Sequence, residues 1–144
     1  MVFIDTGGWI AVAVTSDSFH EIALNYYLEL IAKRVRLFTS NYVLDETITR
    51  IRYSFGHFQA CWFCDLYEKA EKQQLITTLW VDALIAKEAL ETFRKYSDQR
   101  FSFTDCTSFT LMQRHALKEA FAFDSHFETF GFLRQPLVPP QKTK

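Results

Sequence analysis

The sequence predicts a single α/β domain around a mostly parallel sheet, and three observations carry that expectation. Short apolar runs alternate with longer amphipathic stretches along the chain, the pattern of successive βαβ units. At 144 residues the chain has the length of one domain, so two independent cores are not expected. Acids close two of the apolar runs: Asp5 follows Val2-Phe3-Ile4, and Asp124 follows Ala120-Phe121-Ala122-Phe123. Open α/β sheets bind ligands at the carboxyl ends of their strands, so both acids stand where chemistry would be placed.

The elements follow in order. Val2 to Ile4 is short and wholly apolar, as a buried parallel strand should be. Gly7-Gly8 leads into Trp9-Ile10-Ala11-Val12-Ala13-Val14, a short helix or turn by context, although its composition suits a strand equally well. From Ser18 to Lys33, Ile22, Tyr26, Tyr27, Leu30 and Ile31 fall on one helical stripe, and Ser18 with Glu21 has the spacing of a capping box. Arg36-Leu37-Phe38-Thr39 is the second strand, after which Ser40 or Asn41 can cap the helix that carries Glu46. Phe58 to Lys72 is a further helix and Leu75 to Val81 a third strand. Ile85, Ala89, Phe93 and Tyr96 mark the next helix, and Asp105 opens another that runs to about His115. The strand ending at Asp124 comes next, and Phe132 to Val138 could add one more. Three prolines lie in residues 136–144, which makes that stretch an extended or disordered tail and leaves residues 1–135 as the folded domain.

Hydrophobic residues make up 49% of the chain, enough for a packed core without a disulfide or a structural metal. With a net charge of −1, no global field draws in nucleic acid, so any such surface must be local. Lys33-Arg34-Val35-Arg36, Arg50-Ile51-Arg52, and Arg114 with Lys118 four residues on are the basic candidates, each equally readable as a solvated helix face. The odd set Cys61, Cys64 and Cys106, with no export signal at Met1-Val2-Phe3-Ile4-Asp5, points to a reducing, cytoplasmic location. No apolar run approaches the roughly 20 residues of a membrane span. Fifteen phenylalanines exceed what a small core needs, so some are expected to face a partner, with a homodimer among the possibilities.

The chemistry rests on Asp5, Glu46, Asp105 and Asp124. Several carboxylates in one pocket would hold protons at neutral pH unless a cation neutralised them. Oxygen ligands without a neighbouring His or Cys set favour Mg²⁺ or Mn²⁺ over zinc, and such an ion suits phosphodiester hydrolysis. Each acid also has an ordinary reading: Asp105 after Thr104 is a common helix N-terminus, and Glu46 can pair with Arg50 at i, i+4.

Four segments together resemble the PIN-domain ribonucleases, and more narrowly the VapC-type toxins of toxin–antitoxin pairs. They are Phe3-Ile4-Asp5-Thr6 with Trp9-Ile10-Ala11, Thr39-Ser40-Asn41-Tyr42-Val43-Leu44-Asp45-Glu46-Thr47, Phe103-Thr104-Asp105-Cys106-Thr107-Ser108-Phe109, and Phe121-Ala122-Phe123-Asp124-Ser125-His126-Phe127. Order and spacing agree across nearly the whole chain. The resemblance implies a Rossmann-like α/β/α sandwich and metal-dependent endonucleolytic cleavage of RNA. It also implies Asp5, Asp105 and Asp124 as metal ligands, Glu46 as a ligand or the group that positions the attacking water, and Thr6 as a supporting hydroxyl. The partners it implies are an RNA substrate and a small antitoxin protein. Some relatives carry another acid two positions after the last Asp, where this chain has His126, so a second metal position is in doubt and His126 could instead contact phosphate.

Rival motifs are weaker. Cys61-Trp62-Phe63-Cys64 lies inside a helical pattern rather than at a strand-to-helix junction, so it reads as helix packing. His20, His57 and His115 lack mutual spacing for a metal or triad, and Asp98 belongs to a turn-like stretch. A haloacid-dehalogenase-type phosphatase would need a second Asp where Gly7 stands. The alternative from another class is a non-catalytic PIN-like module that binds RNA or protein.

Overall fold

The structure, a computed structural model, describes residues 1–139. Five short strands, β1 (Val2–Ile4), β2 (Leu37–Ser40), β3 (Ile76–Leu79), β4 (Glu119–Phe121) and β5 (Leu133–Gln135), pair in parallel in the order β3-β2-β1-β4-β5. The three residues of β1 and the four of β2 are all buried, whereas the edge strands β3 and β5 are partly open. Seven helices join and flank the strands: α1 (Thr6–Ala13), α2 (His20–Ala32), α3 (Asn41–Phe55), α4 (His57–Lys72), α5 (Ala83–Lys95), α6 (Phe103–Arg114) and α7 (His126–Phe130). The expected α/β/α sandwich is the observed one.

Trp9 shows how the sequence sets this arrangement. Residues 9–13 are helical and Val14 is extended at the helix end, and Trp9 is fully buried between Tyr27 of α2 and Phe63 of α4, with ring centroids 6.0 and 5.5 Å away. Its indole N–H donates to Thr39 Oγ1 at 3.1 Å, and Thr39 donates on to the Ile4 carbonyl at 3.1 Å. A buried indole needs such an acceptor, so this chain of bonds ties α1 to β1 and β2. Gly8 permits the approach: a Cβ there would lie 2.6 Å from the Phe121 carbonyl oxygen. Much of the phenylalanine excess is interior, because Phe101, Phe109, Phe127, Phe130 and Phe132 pack ring on ring where α6, α7 and β5 meet. Tyr53, Phe58, Trp80 and Phe93 remain largely exposed.

Several local expectations are corrected. Ser18 and Glu21 form no capping box; α2 starts at His20 because Asp17 accepts the Phe19 N–H at 2.8 Å and turns the chain first. Ser40, not Asn41, caps α3 by accepting the Val43 N–H at 3.1 Å, while Asn41 accepts the Val81 N–H at 2.8 Å. Arg114 and Lys118 do not share a helix face, since α6 stops at Arg114 and Ala116 adopts a φ of 52°. The strand expected to reach Asp124 ends at Phe121, and the one expected over 132–138 covers 133–135, where Pro136 has no N–H to continue the ladder. Helix α7 was not anticipated. Of the expected tail, residues 140–144 lie outside the described residues, and Pro136 is buried.

Candidate functional site

The strand order reverses beside β1: the chain moves outward through β2 and β3, then returns to place β4 on the other flank of β1. Such a switch point opens a crevice beyond the carboxyl ends of the two strands. Asp5 follows β1 directly and caps α1, accepting the Gly7 N–H at 3.4 Å. Asp124 lies three residues beyond β4, where Oδ1 accepts the His126 N–H at 2.9 Å. Asp105 enters from α6, in a reciprocal cap with Ser102: Ser102 Oγ accepts the Asp105 N–H at 3.0 Å, and Asp105 Oδ2 accepts the Ser102 N–H at 2.9 Å. Glu46 comes from α3. All four acids line one hollow of 340 Å³, together with Gly7, Arg50, Arg100, Ser102 and His126.

Among the described residues no Lys or Arg forms an ion pair with Asp5, Asp105 or Asp124. Burial, then repulsion from Asp105 and Glu46, pushes the Asp5 carboxyl up to about 7, against the opposing N–H donors of Thr6 and Gly7. Burial also raises Asp105, with Asp124 adding to the rise and Ser102 and His126 opposing it. His126 Nδ1 sits 3.0 Å from Asp105 Oδ2 and 3.2 Å from Asp124 Oδ2. Arg50 approaches Glu46 at only 3.9 Å, and Arg100 has no carboxylate partner among the described residues. The donor set suits a divalent cation: Asp105, Asp124 and His126 each offer an atom, all within 4.8 Å of one another, and Asp5 and Glu46 face the same space.

The PIN domain family model matches residues 2–133. This chain belongs to the PIN domain family. It is 31% identical over 136 residues to the 23S rRNA-specific endonuclease VapC20 of Mycobacterium tuberculosis, covering 92% of this chain and 96% of that protein. It is 27% identical over 126 residues to a VapC ribonuclease of Archaeoglobus fulgidus, covering 86% and 77%. The crystal structure of the M. tuberculosis protein, described as a sarcin-ricin loop cleaving toxin, superposes with a TM-score of 0.78 at 29% identity over 92% of this chain and 97% of that one. FitAcB from Neisseria gonorrhoeae shares the fold, with a TM-score of 0.64 at 15% identity over 93% and 96%.

In this PIN domain the other sequence candidates scatter. Arg36 lies over the Phe38 ring and Arg114 is paired with Glu88, and neither lines the hollow; Arg50 alone of the three basic candidates does. Thr6 is buried with its hydroxyl unpaired and does not line the hollow, nor does Asp98. His20 Nδ1 lies 2.8 Å from the Ala11 carbonyl, His57 lies against Cys61 on α4, and His115 ends α6. Arg100 and Ser102 were missed. Ser102, three residues before Asp105, has the spacing of a cap, and Arg100 lies two residues earlier, at the end of the turn-like stretch that holds Asp98. No helix among the described residues is long and apolar enough to cross a membrane.

Proposed function

We propose that this PIN domain is a metal-dependent endoribonuclease and the toxin of a toxin–antitoxin pair. The observation that carries the reading is the convergence of Asp5, Glu46, Asp105 and Asp124, from four separate stretches of the chain, on one hollow at the β1/β4 crevice. The relatives named as ribonucleases support it. Asp5, Asp105 and Asp124 are the metal ligands, Glu46 is a ligand or holds the attacking water, and the ion is Mg²⁺ or Mn²⁺. When bound, that ion supplies a water nucleophile near neutral pH and offsets charge on the phosphoryl oxygens. The protein's own side chains hold the substrate: Arg100 and Arg50 at the rim offer guanidinium groups to the RNA backbone, a geometry suited to phosphate. The capped backbone at Ser102 and the turn at Asp124 fix the two acids that flank His126.

The nuclease domain is residues 1–135, acting in the cytoplasm as a homodimer bound by a small antitoxin protein. Exposed Trp80, Leu84 and Phe93, and an apolar hollow of 460 Å³ lined by Val12, Ala13, Leu24, Phe58 and Trp62, support protein partners. The test is incubation of the purified chain with structured RNA and Mg²⁺ or Mn²⁺, with Asp5→Asn as the control. Cleavage by the wild type alone is expected; RNA left intact by both chains would end the proposal. Growth arrest on expressing the chain alone, relieved by the neighbouring small open reading frame, tests the toxin role.

A further inference from the structure

We infer that His126 is a nitrogen ligand of the ion, and that the centre therefore selects Mn²⁺ or a later transition ion over Mg²⁺. The inference rests on the metal-dependent reading above and narrows it. Nδ1 of His126 stands 3.0 Å from Asp105 Oδ2 and 3.2 Å from Asp124 Oδ2. An octahedral ion with bonds of about 2.1 Å separates adjacent ligand atoms by roughly 3.0 Å, so these two edges have the spacing of neighbouring corners around one ion. The third edge also lies within 4.8 Å.

The three donors are held in place by the protein before any ion arrives. Asp105 is fixed by its reciprocal cap with Ser102. The His126 backbone N–H is bound by Asp124 Oδ1 at 2.9 Å, which ties the residue to its neighbouring acid. The imidazole and the Phe101 ring pack in a T-shaped pair, centroid to centroid 5.4 Å, and Phe101 is itself buried against Phe109. Without the ion, Nδ1 and Asp105 Oδ2 share a hydrogen bond; the ion takes the place of that proton, and ligation through Nδ1 leaves the ring proton on Nε2. Imidazole strengthens binding of transition ions along the Irving–Williams series, whereas Mg²⁺ prefers oxygen and retained water.

The experiment loads the full chain with Mn²⁺ and records its electron spin-echo modulation, alongside titration calorimetry with Mn²⁺ and with Mg²⁺. The same is done for His126→Asp and His126→Gln, with circular dichroism to confirm that each variant is folded. Nitrogen modulation is expected in the wild type and absent from both variants, because among the described residues His126 is the one histidine lining the hollow. The preference for Mn²⁺ over Mg²⁺ should fall about tenfold in His126→Asp. Mn²⁺ bound without nitrogen modulation, or an unchanged preference in the folded Asp variant, overturns the inference. RNA cleavage by a centre free of nitrogen coupling would refute it and leave the nuclease reading standing; nitrogen coupling without cleavage would do the reverse.

Discussion

Replacing Asp5 with Asn isolates what it costs to hold a charge at the end of β1. Asn keeps the shape and the oxygen that accepts the Gly7 N–H, and it cannot ionise. In the fold the Asp5 carboxyl is raised from 3.8 to about 7, chiefly by burial. The unfolded chain therefore loses this proton near pH 4 while the native state keeps it to about pH 7. Stability is fully present below the lower value and declines as pH rises through that window, by about 1.4 kcal/mol per pH unit. The whole interval amounts to roughly 4 kcal/mol as an upper figure, since water entering the crevice would relieve part of it. In metal-free buffer at about pH 7.5, Asp5→Asn should melt higher than the wild type, by about 3 °C for each kcal/mol recovered in a domain of this length. The gap should narrow as the pH is brought towards 5. Adding Mn²⁺ at a hundred times its dissociation constant should stabilise the wild type by about 2.7 kcal/mol and the variant far less. Calorimetric melting across pH, with and without metal, reads all three effects. A variant that melts below the wild type in chelator at about pH 7.5, with a gap that does not move with pH, would refute the reasoning.

Arg100→Ala should weaken binding of a short RNA in Ca²⁺ about tenfold and reduce the dependence of log affinity on log salt by about one unit, as read by fluorescence anisotropy. The fold should be unaffected, because Arg100 is exposed and forms no ion pair among the described residues. Ser102→Ala leaves the Asp105 N–H without its acceptor, so urea denaturation should show a loss of about 1 kcal/mol together with slower RNA cleavage. Gly8→Ala would put a methyl group 2.6 Å from the Phe121 carbonyl oxygen and 3.2 Å from Ile4 Cγ2. Because the first contact is backbone in β4, the strand or α1 must shift, at a cost of about 1–3 kcal/mol in the same denaturation assay.

The parts of this fold legible in the sequence were those with a one-dimensional signal. β1 and β2 are short apolar runs, and of the stripe Ile85, Ala89, Phe93 and Tyr96 the first two are buried in α5, while Phe93 is exposed and Tyr96 caps the helix end. The same holds for Asp5 at the end of β1, which needs only a run of apolar residues and a stop; Asp124 stands three residues past β4, because the apolar run outlasts the strand. Contacts set by three-dimensional approach were hidden. Asp17 rather than Ser18 shapes the entry to α2, and composition could not separate that turn from the capping spacing beside it. α1 is nearly all apolar and buried on almost every side, so it has no face to give it away, and only the fit of Trp9 and Gly8 explains why it is helical. Arg100 and His126 belong to the crevice because of where α6 and α7 begin, and α7, five residues long, is too short to show a period.

The crevice has an order of assembly written into it. Its walls are supplied by the first strand of the chain and by β4, the next to last, and Asp124 is among the final residues to join. A polypeptide still being made, or one cut short before residue 119, has β2 beside β1 but nothing on the other flank. Such fragments hold at most three of the four acids and have no enclosed space to gather them. On the proposed reading, a chain that stops short of Asp124 is expected to leave RNA intact, because the fourth acid and the β4 wall arrive together.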